Sequence, residues 1–306
     1  MKKIETVAIV GLGAVGASYM SKISECVPEK NMRVIASGGR ADRIRAGIAV
    51  NGRKYFFPVL VPEDETGPVD LLIFSVKNHQ LAQAISDARS QIGSDTIIMS
   101  LLNGVTSEET IERTCGAKAL YSIAMALDAT REGDNTVYST IGTIQFGEAT
   151  NEKGNYSRSV TLVRDLLEAA GIPYEIPADM KWALWKKFMI NVGMNQTSAI
   201  LRCPYKTLHK SQEARLVMRR AMEEVTAVAS HEGVILTEND INDAFARIDK
   251  LSPEGRTSMA QDVEAKRKTE VEMFGTTVAE LGKVHGVKTP VNELLRSLIL
   301  AIESSY

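Results

Sequence analysis

The sequence predicts an α/β fold in which a doubly wound parallel sheet is followed by an all-helical region. In roughly the first 150 residues, short β-branched runs alternate with helical patterns, which is typical of β-α-β units. From about Ala178 onward the strand signals disappear, and apolar residues such as Trp182 and Trp185 recur at helical spacing. With 306 residues and a 44% apolar fraction, the chain is long enough for two domains, which we expect at 1–176 and 177–306.

Five short apolar runs in the first half are interpreted as strands, and they cover residues 7–10, 33–36, 71–76, 96–101 and 120–126. Residues 81–91 predict a crossover helix, and Thr106 with Glu109 forms a capping-box pattern that would open another. A last crossover helix over 162–170 precedes a short strand at 174–176. Because such crossovers are right-handed, this order favours a right-handed doubly wound sheet.

The second half contains five helical patterns, near residues 178–201, 212–232, 238–250, 257–285 and 290–303. Gly233 and Gly286 follow two of them in the position of C-terminal caps, and Pro290 stands where a first-turn proline is favoured. The apolar faces of these helices are compatible with a homodimer.

Composition excludes several kinds of partner. The formal net charge is -2, and acidic and basic residues are interspersed, so no basic stripe indicates nucleic-acid binding. No apolar run approaches the roughly 20 residues of a membrane span. The three cysteines are widely spaced, and the histidines lack metal-ligand spacing, so we expect a cytoplasmic protein with no metal site.

A glycine-rich motif follows the first predicted strand and opens a helix; it consists of Gly11, Leu12, Gly13, Ala14, Val15 and Gly16. In this context G-x-G-x-x-G predicts a Rossmann-type dinucleotide site. Gly11 would make the tight turn, Gly13 would admit the pyrophosphate, and Gly16 would allow close packing of helix and strand. The alternative is an ordinary glycine-rich turn.

The end of the second strand indicates which dinucleotide would bind. No Asp or Glu stands there to bind the ribose hydroxyl of NAD; Ser37 and Arg40 occupy this region instead. Because a guanidinium can donate two parallel hydrogen bonds to the oxygens of a 2′-phosphate, these two residues favour NADP. Arg43 and Arg45 follow, and the alternative is that these arginines form the solvated face of a short helix.

Two further candidates lie where later strands end, the edge at which open α/β sheets bind ligands. Lys77 would meet cofactor phosphate or ribose, and Asn103 would orient the nicotinamide and the substrate. It is equally probable that Lys77 is only a lysine at the start of a helix and that Asn103 is only a turn residue before glycine.

Lys187, Asn191 and Asn195 are polar residues spaced four apart in an otherwise apolar helical segment. At about 100° per residue they share one helix face. Because an unpaired buried amide costs about 1 to 3 kcal/mol, this face needs a ligand or a polar partner. The alternative for Lys187 is that its amine reaches water beside Lys186.

The predicted helix over 257–285 carries three further polar candidates on one arc. Ser258, in the first turn, would bind a substrate carboxylate together with free backbone N–H groups. Alternatively Ser258 is only a cap, Asp262 pairs with Lys266, and Glu270 is a solvated charge.

Together these residues resemble the ketopantoate reductases, also called 2-dehydropantoate 2-reductases, over nearly the whole chain. The motifs that carry the resemblance are the glycine motif, Ser75-Val76-Lys77, Asn103-Gly104, residues 184–191, and Ser258-Met259-Ala260-Gln261-Asp262 with Thr269-Glu270. The last of these motifs is the most particular to this family.

The resemblance implies hydride transfer from NADPH to the 2-oxo carbon of ketopantoate, giving pantoate for pantothenate and coenzyme A synthesis. Lys187 matches the family's general acid, and Glu270 matches a glutamate that holds substrate and tunes that lysine. Substrate-binding positions are matched by Asn103, Asn191, Asn195, Ser258 and Asp262.

Two positions depart from the family pattern. Ser37 stands where the family commonly has arginine, so the NADP preference rests on Arg40 or its neighbours. Tyr205 stands where better-known members place a substrate-binding asparagine, which points to a related reductase of another branched 2-oxo acid or imine as an alternative. A third hypothesis is a non-catalytic NADP sensor.

Overall fold

The computed structural model describes residues 3–64 and 66–306. The chain divides into two compact units, one that runs to Lys181 and one that starts at Trp182. The first unit contains a parallel-dominated sheet with helices, and the second is built of helices. The predicted fold class is therefore confirmed.

The first unit contains all the strands of the described chain, which are β1 (Val7–Val10), β2 (Met32–Ile35), β3 (Ile48–Val50), β4 (Arg53–Tyr55), β5 (Val59–Leu60), β6 (Leu71–Phe74), β7 (Ile97–Ser100), β8 (Ala119–Met125), β9 (Asp128–Glu132), β10 (Asn135–Thr140), β11 (Thr143–Gly147) and β12 (Tyr174–Glu175). The main sheet has the order β12-β11-β8-β7-β6-β1-β2-β5, and only the β8–β11 pair is antiparallel. The order reverses at β1, the point at which doubly wound sheets bind ligands.

Helices cover both faces of this sheet: α1 (Ala14–Ile23), α2 (Gly38–Arg45), α3 (Leu81–Asp87), α4 (Ser107–Cys115) and α5 (Arg158–Ala169). Each face of the sheet therefore has its own apolar core. In β1, Val7 and Ile9 belong to one core, and Ala8 and Val10 belong to the other. Every residue of β1, β6 and β7 is buried, as expected for parallel strands covered on both faces.

The capping box predicted at the start of α4 is wrong. Thr106 is the N-cap residue of this helix, but its side chain makes no capping hydrogen bond. The sequence pattern of Thr106 and Glu109 therefore predicted where α4 begins, but not which groups accept hydrogen bonds from the first N–H groups of this helix.

A second sheet, in the order β4-β3-β10-β9, was not predicted. Strands β3 and β10 pair in parallel, with Asn135 opposite Ala49, although they lie far apart in sequence. Strands β9 and β10 are mostly polar and exposed on alternate residues, so they lack the apolar alternation that reveals a strand. This sheet packs against α1, the helix that begins at the glycine turn.

The second unit contains α6 (Met180–Leu201), α7 (Tyr205–Lys210), α8 (Gln212–His231), α9 (Glu238–Ile248), α10 (Ser258–Glu264), a π-helix (Glu272–Thr276), α11 (Thr277–His285) and α12 (Pro290–Glu303). Gly233 and Gly286 adopt the left-handed conformation after α8 and α11, with φ of +76° and +69°, and Pro290 opens α12, as predicted. None of the described helices combines the length and the apolar character needed to cross a bilayer.

The single helix predicted over 257–285 is wrong, because the chain turns after α10. Lys266 adopts a left-handed φ of +52°, and its N–H bonds to the carbonyl of Val263. The next N–H, of Arg267, bonds to the carbonyl of Asp262, which completes a Schellman cap with lysine in the usual glycine position. The predicted arc containing Glu270 therefore does not exist.

Candidate functional site

The glycine turn after β1 has the geometry of a phosphate-binding loop. Gly11 has a φ of +97°, and a Cβ there would lie 2.3 Å from the Ser75 carbonyl oxygen. A Cβ on Gly16 would lie 2.2 Å from the Gly11 oxygen, so the turn and α1 pack too closely for a side chain. A Cβ on Gly13 would meet nothing within 4 Å. Space for a ligand therefore lies beside Gly13, where α1 presents its first N–H groups.

A cavity of about 240 Å³ opens beside the turn at the carboxyl ends of β1 and β2. Its walls include Gly11, Ser37, Arg40 and Val76, together with the side of α3. Ser37 is the N-cap of α2, but its side chain makes no capping hydrogen bond. The turn and this cavity together suit the adenosine end of a dinucleotide.

Three arginines line a second, open cavity of about 340 Å³ on the other side of Arg40. Arg40 and Arg43 come from α2, and Arg131 comes from β9. Burial lowers the pKa of Arg40, and the positive charges of Arg131 and Arg43 lower it further. Within the described part of the chain, neither Arg40 nor Arg43 has a carboxylate within 4.0 Å. This excess of positive charge suits a phosphate group.

Lys77 and Asn103 lie at the same edge of the main sheet as the glycine turn. Strands β1, β6 and β7 end in register, with Val10 opposite Phe74 and Phe74 opposite Ser100. Lys77 precedes a short 3-10 helix after β6, and Asn103 lies in the turn after β7. The edge that the sequence predicted for both residues is therefore the one they occupy.

A buried carboxyl group stands behind the Asn103 turn, at the start of α4. Glu108 is 5% exposed and accepts a hydrogen bond of 2.9 Å from the hydroxyl of Ser107, which in turn accepts one of 2.8 Å from Ser100. Burial raises the pKa of Glu108 to about 7, and hydrogen bonds from its own backbone and from the Ser107 hydroxyl act in the opposite direction. Among the described residues, none forms a hydrogen bond with its Oε1. Glu108 was not among the predicted site residues.

In the second unit, Lys187 and Glu270 are close enough for their charges to interact. Burial lowers the pKa of Lys187 to about 8, and the carboxylate of Glu270 acts in the opposite direction and raises it. Glu270 lies in the segment between α10 and the π-helix. The adjacent Thr269 fixes this segment, because its N–H and hydroxyl both donate to one oxygen of Glu303, at 2.7 and 2.6 Å.

Asn191 and Asn195 lie one and two turns after Lys187 on α6, as predicted. The amide of Asn195 donates to the Asn191 oxygen at 3.4 Å, and the hydroxyl of Ser258 donates to the Asn195 oxygen at 3.3 Å. Thr257, not Ser258, caps α10 through a hydrogen bond from Ala260. The hydroxyl of Ser258 is therefore directed toward the asparagines and not used for capping.

Asp262 and Tyr205 make structural contacts within this unit. The carboxylate of Asp262 accepts a hydrogen bond of 2.9 Å from Arg267 at the end of α10, and not one from Lys266. Tyr205 opens α7, and its ring lies against Gly255, where a Cβ would come within 2.9 Å of it. A substrate contact of either residue stays a prediction.

Lys186, the neighbour of Lys187, has a different role. Its buried ammonium lies 2.9 Å from Asp240 and 3.0 Å from Asp243, and 4.6 Å from the ring centre of Trp182. This ion pair ties α6 to α9. Lys186 therefore has a structural role, whereas burial lowers the pKa of its neighbour Lys187 to about 8.

The chain is similar to known proteins over most of its length. The family sequence model described as Ketopantoate reductase PanE/ApbA matches residues 7–151, and the one described as Ketopantoate reductase PanE/ApbA C terminal matches 179–303. A 2-dehydropantoate 2-reductase from Streptococcus pyogenes serotype M3 is 27% identical over 309 residues, covering 97% of this chain and 98% of that protein.

Solved structures share the fold of this chain. A PanE/ApbA family ketopantoate reductase from Ralstonia eutropha JMP134 has a TM-score of 0.83 at 25% identity, covering 98% of this chain and 99% of that one. A D-mandelate dehydrogenase solved with NADH and anilino(oxo)acetate has a TM-score of 0.85 at 24% identity, covering 98% of both chains. The likeness extends over nearly the full length.

Proposed function

Because the chain belongs to the ketopantoate reductase family of oxidoreductases, we propose that it reduces ketopantoate to pantoate with NADPH. The observation that carries this proposal is the pairing of Lys187 with Glu270 in the second unit. A lysine whose pKa is about 8 is about nine-tenths protonated at pH 7, so it is both charged and able to give up its proton.

Lys187 acts as the general acid in this proposal. Its ammonium stabilises negative charge on the ketone oxygen as that oxygen becomes an alkoxide, and then donates the proton that makes the alcohol. Glu270 keeps the ammonium charged, since without the carboxylate burial would favour the neutral amine.

The polar groups beside Lys187 bind the substrate. Ser258, Asn195 and Asn191 form a connected series of hydrogen bonds, so each is held in one orientation. Asn195 is 5% exposed, so its amide makes little contact with water. The carboxylate and hydroxyl groups of ketopantoate offer hydrogen-bond partners suited to these side chains.

The first unit supplies the cofactor site. The open space beside Gly13 suits a pyrophosphate, and the cavity containing Arg40 suits a 2′-phosphate. Lys77 and Asn103 lie at the same sheet edge and are assigned to the ribose and nicotinamide portions. NADPH, when bound, supplies the hydride for the 2-oxo carbon.

The test is NADPH oxidation by the purified protein with ketopantoate, compared with Lys187→Ala. Loss of a proton donor should lower kcat by a factor of about 10² or more. Lys181→Ala, an exposed lysine near the start of the same helix, is the matched control and should leave kcat unchanged. Full activity of Lys187→Ala would remove Lys187 from the mechanism, and an inactive wild type would reject ketopantoate as substrate.

Tyr205 favours a second candidate, the reduction of another branched or aromatic 2-oxo acid. Its ring is held against Gly255, so an aromatic wall replaces the amide that the family pattern places here. A panel of 2-oxo acids that includes the aromatic oxo acid corresponding to mandelate separates the two candidates. Tyr205→Asn should improve ketopantoate turnover if the tyrosine restricts it, and an unchanged rate would count against this role.

A further inference from the structure

We propose that Arg131, on the second sheet, is a third arginine of the 2′-phosphate subsite and determines the preference for NADPH over NADH. The inference rests on the proposed function, since it assumes that the first unit binds a nicotinamide dinucleotide. It assigns a role to a residue of β9, which lies in none of the cofactor-binding motifs of the sequence.

The second sheet explains why Arg131 lies beside α2. Strand β3 follows α2 almost directly and pairs in parallel with β10. The N–H of Ala49 in β3 donates to the carbonyl of Asp134 at 2.9 Å, which fastens the β9–β10 turn to the segment that leaves α2. Arg131, three residues before Asp134, is thereby held at the cavity that Arg40 and Arg43 line from α2.

The guanidinium of Arg131 is held in place by contacts with the turn between β9 and β10. Its Nε donates to the carbonyl of Gly133 at 2.9 Å, and one terminal nitrogen lies 3.4 Å from Asp134. These contacts engage part of a group that has five N–H donors, so others remain for a ligand. A side chain fixed in this way loses less entropy on binding than a mobile arginine would.

The charge balance of the cavity indicates an anionic ligand. Three guanidiniums line it, and among the described residues of its lining Asp134 supplies the one carboxylate. Burial disfavours the charge of Arg40, and the like charges of Arg131 and Arg43 disfavour it further. A doubly charged phosphate, which accepts several forked hydrogen bonds, would offset this repulsion. The adjacent Gly13 turn would hold the pyrophosphate of the same molecule.

The experiment measures dissociation constants of NADPH and NADH by calorimetry for the wild type, Arg131→Ala and Arg131→Lys. Because hydrogen bonds to charged groups contribute about 1.5 to 3 kcal/mol, Arg131→Ala should weaken NADPH binding by about 10- to 100-fold and change NADH binding less than about twofold. Arg131→Lys keeps the positive charge but cannot donate two parallel hydrogen bonds, so its loss of NADPH affinity should be smaller than that of Arg131→Ala. Adenosine 2′,5′-bisphosphate and adenosine 5′-monophosphate serve as probes that carry only the nucleotide end.

Arg45→Ala is the matched control, because Arg45 lies on α2, pairs with Asp42 at 3.2 Å and is not among the residues lining the cavity. It should leave both affinities unchanged. Equal weakening of NADPH and NADH by Arg131→Ala would show that the arginine only supports the β9–β10 turn and would overturn the inference. Unchanged NADPH affinity would overturn it as well. A wild type that binds neither dinucleotide would instead refute the proposed function.

Discussion

Replacing Glu270 with glutamine tests whether its carboxylate sets the charge of Lys187. Burial takes the pKa of Lys187 from its usual 10.5 down to about 8, although Glu270 acts to raise it. A neighbouring opposite charge typically shifts a pKa by about 1 to 3 units. Without that charge, burial acts alone, and the pKa of Lys187 should fall to about 7 or below.

The assay is the dependence of kcat/KM on pH over the range of about 5.5 to 9, because kcat/KM reports the pKa of a group in the free enzyme. A general acid must be protonated, so the rate is full at low pH and is lost as the pH rises through its pKa. The wild-type rate should decline near pH 8, and that of Glu270→Gln near or below pH 7. At pH 7.5 the protonated fraction of Lys187 would fall from about three-quarters to about one-quarter, roughly a threefold loss of rate.

A loss of substrate affinity would lower kcat/KM at every pH without moving this decline, so the two roles of Glu270 can be separated. Glu272→Gln is the matched control, because Glu272 is two residues away and pairs with exposed Lys268 at 2.9 Å. Its profile should follow that of the wild type. If the decline for Glu270→Gln stayed near pH 8 or moved upward, the electrostatic account of this pair would be refuted.

Three further substitutions test other parts of the structure. Gly11→Ala places a Cβ 2.3 Å from the Ser75 oxygen at a residue with positive φ. The substitution should lower the free energy of unfolding by at least about 2 kcal/mol and weaken NADPH binding. An unchanged melting temperature and unchanged binding would contradict the tight-turn role of Gly11. Glu108→Gln tests a carboxyl whose pKa is about 7 instead of 4.5. Because the folded state holds this proton more tightly than the unfolded state, wild-type stability should fall as the pH rises from about 4.5 to 7, by about 3 kcal/mol at most, and denaturant unfolding of the variant should lack this loss. Thr269→Val removes the hydroxyl bond of 2.6 Å to Glu303, which should cost about 1 to 2 kcal/mol in urea unfolding and lower kcat through Glu270; an unchanged kcat would mean that this anchor does not position the carboxylate.

Local sequence patterns determined much of the fold. Strand β1 and helix α12 occupy the residues predicted for them, because one is a continuous apolar run before a glycine turn and the other begins at a first-turn proline. The conformation of Gly11 also follows from its motif, since no other residue fits there. In each case the residues that specify the element are its immediate neighbours in the chain.

Patterns of this kind failed where long-range contacts decide the structure. The second sheet depends on pairing between β3, which is only three residues long, and β10, which is mostly polar, so neither strand is recognisable by itself. The break after α10 places a lysine in a left-handed conformation and is fixed by the bond from Thr269 to Glu303 in α12. Helical periodicity across 257–285 contained no sign of that contact.

The same distinction between local sequence patterns and long-range contacts applies to the candidate site. The sequence by itself identified the residues that we propose for the chemistry: the glycine turn, Lys187 and Glu270. Only the tertiary structure decided that Lys187 has a pKa of about 8, that Glu108 is buried, and that Arg131 joins the arginines of α2. The physical reason is that burial and charge interactions depend on distances between residues remote in sequence, and these distances exist only once the chain has folded.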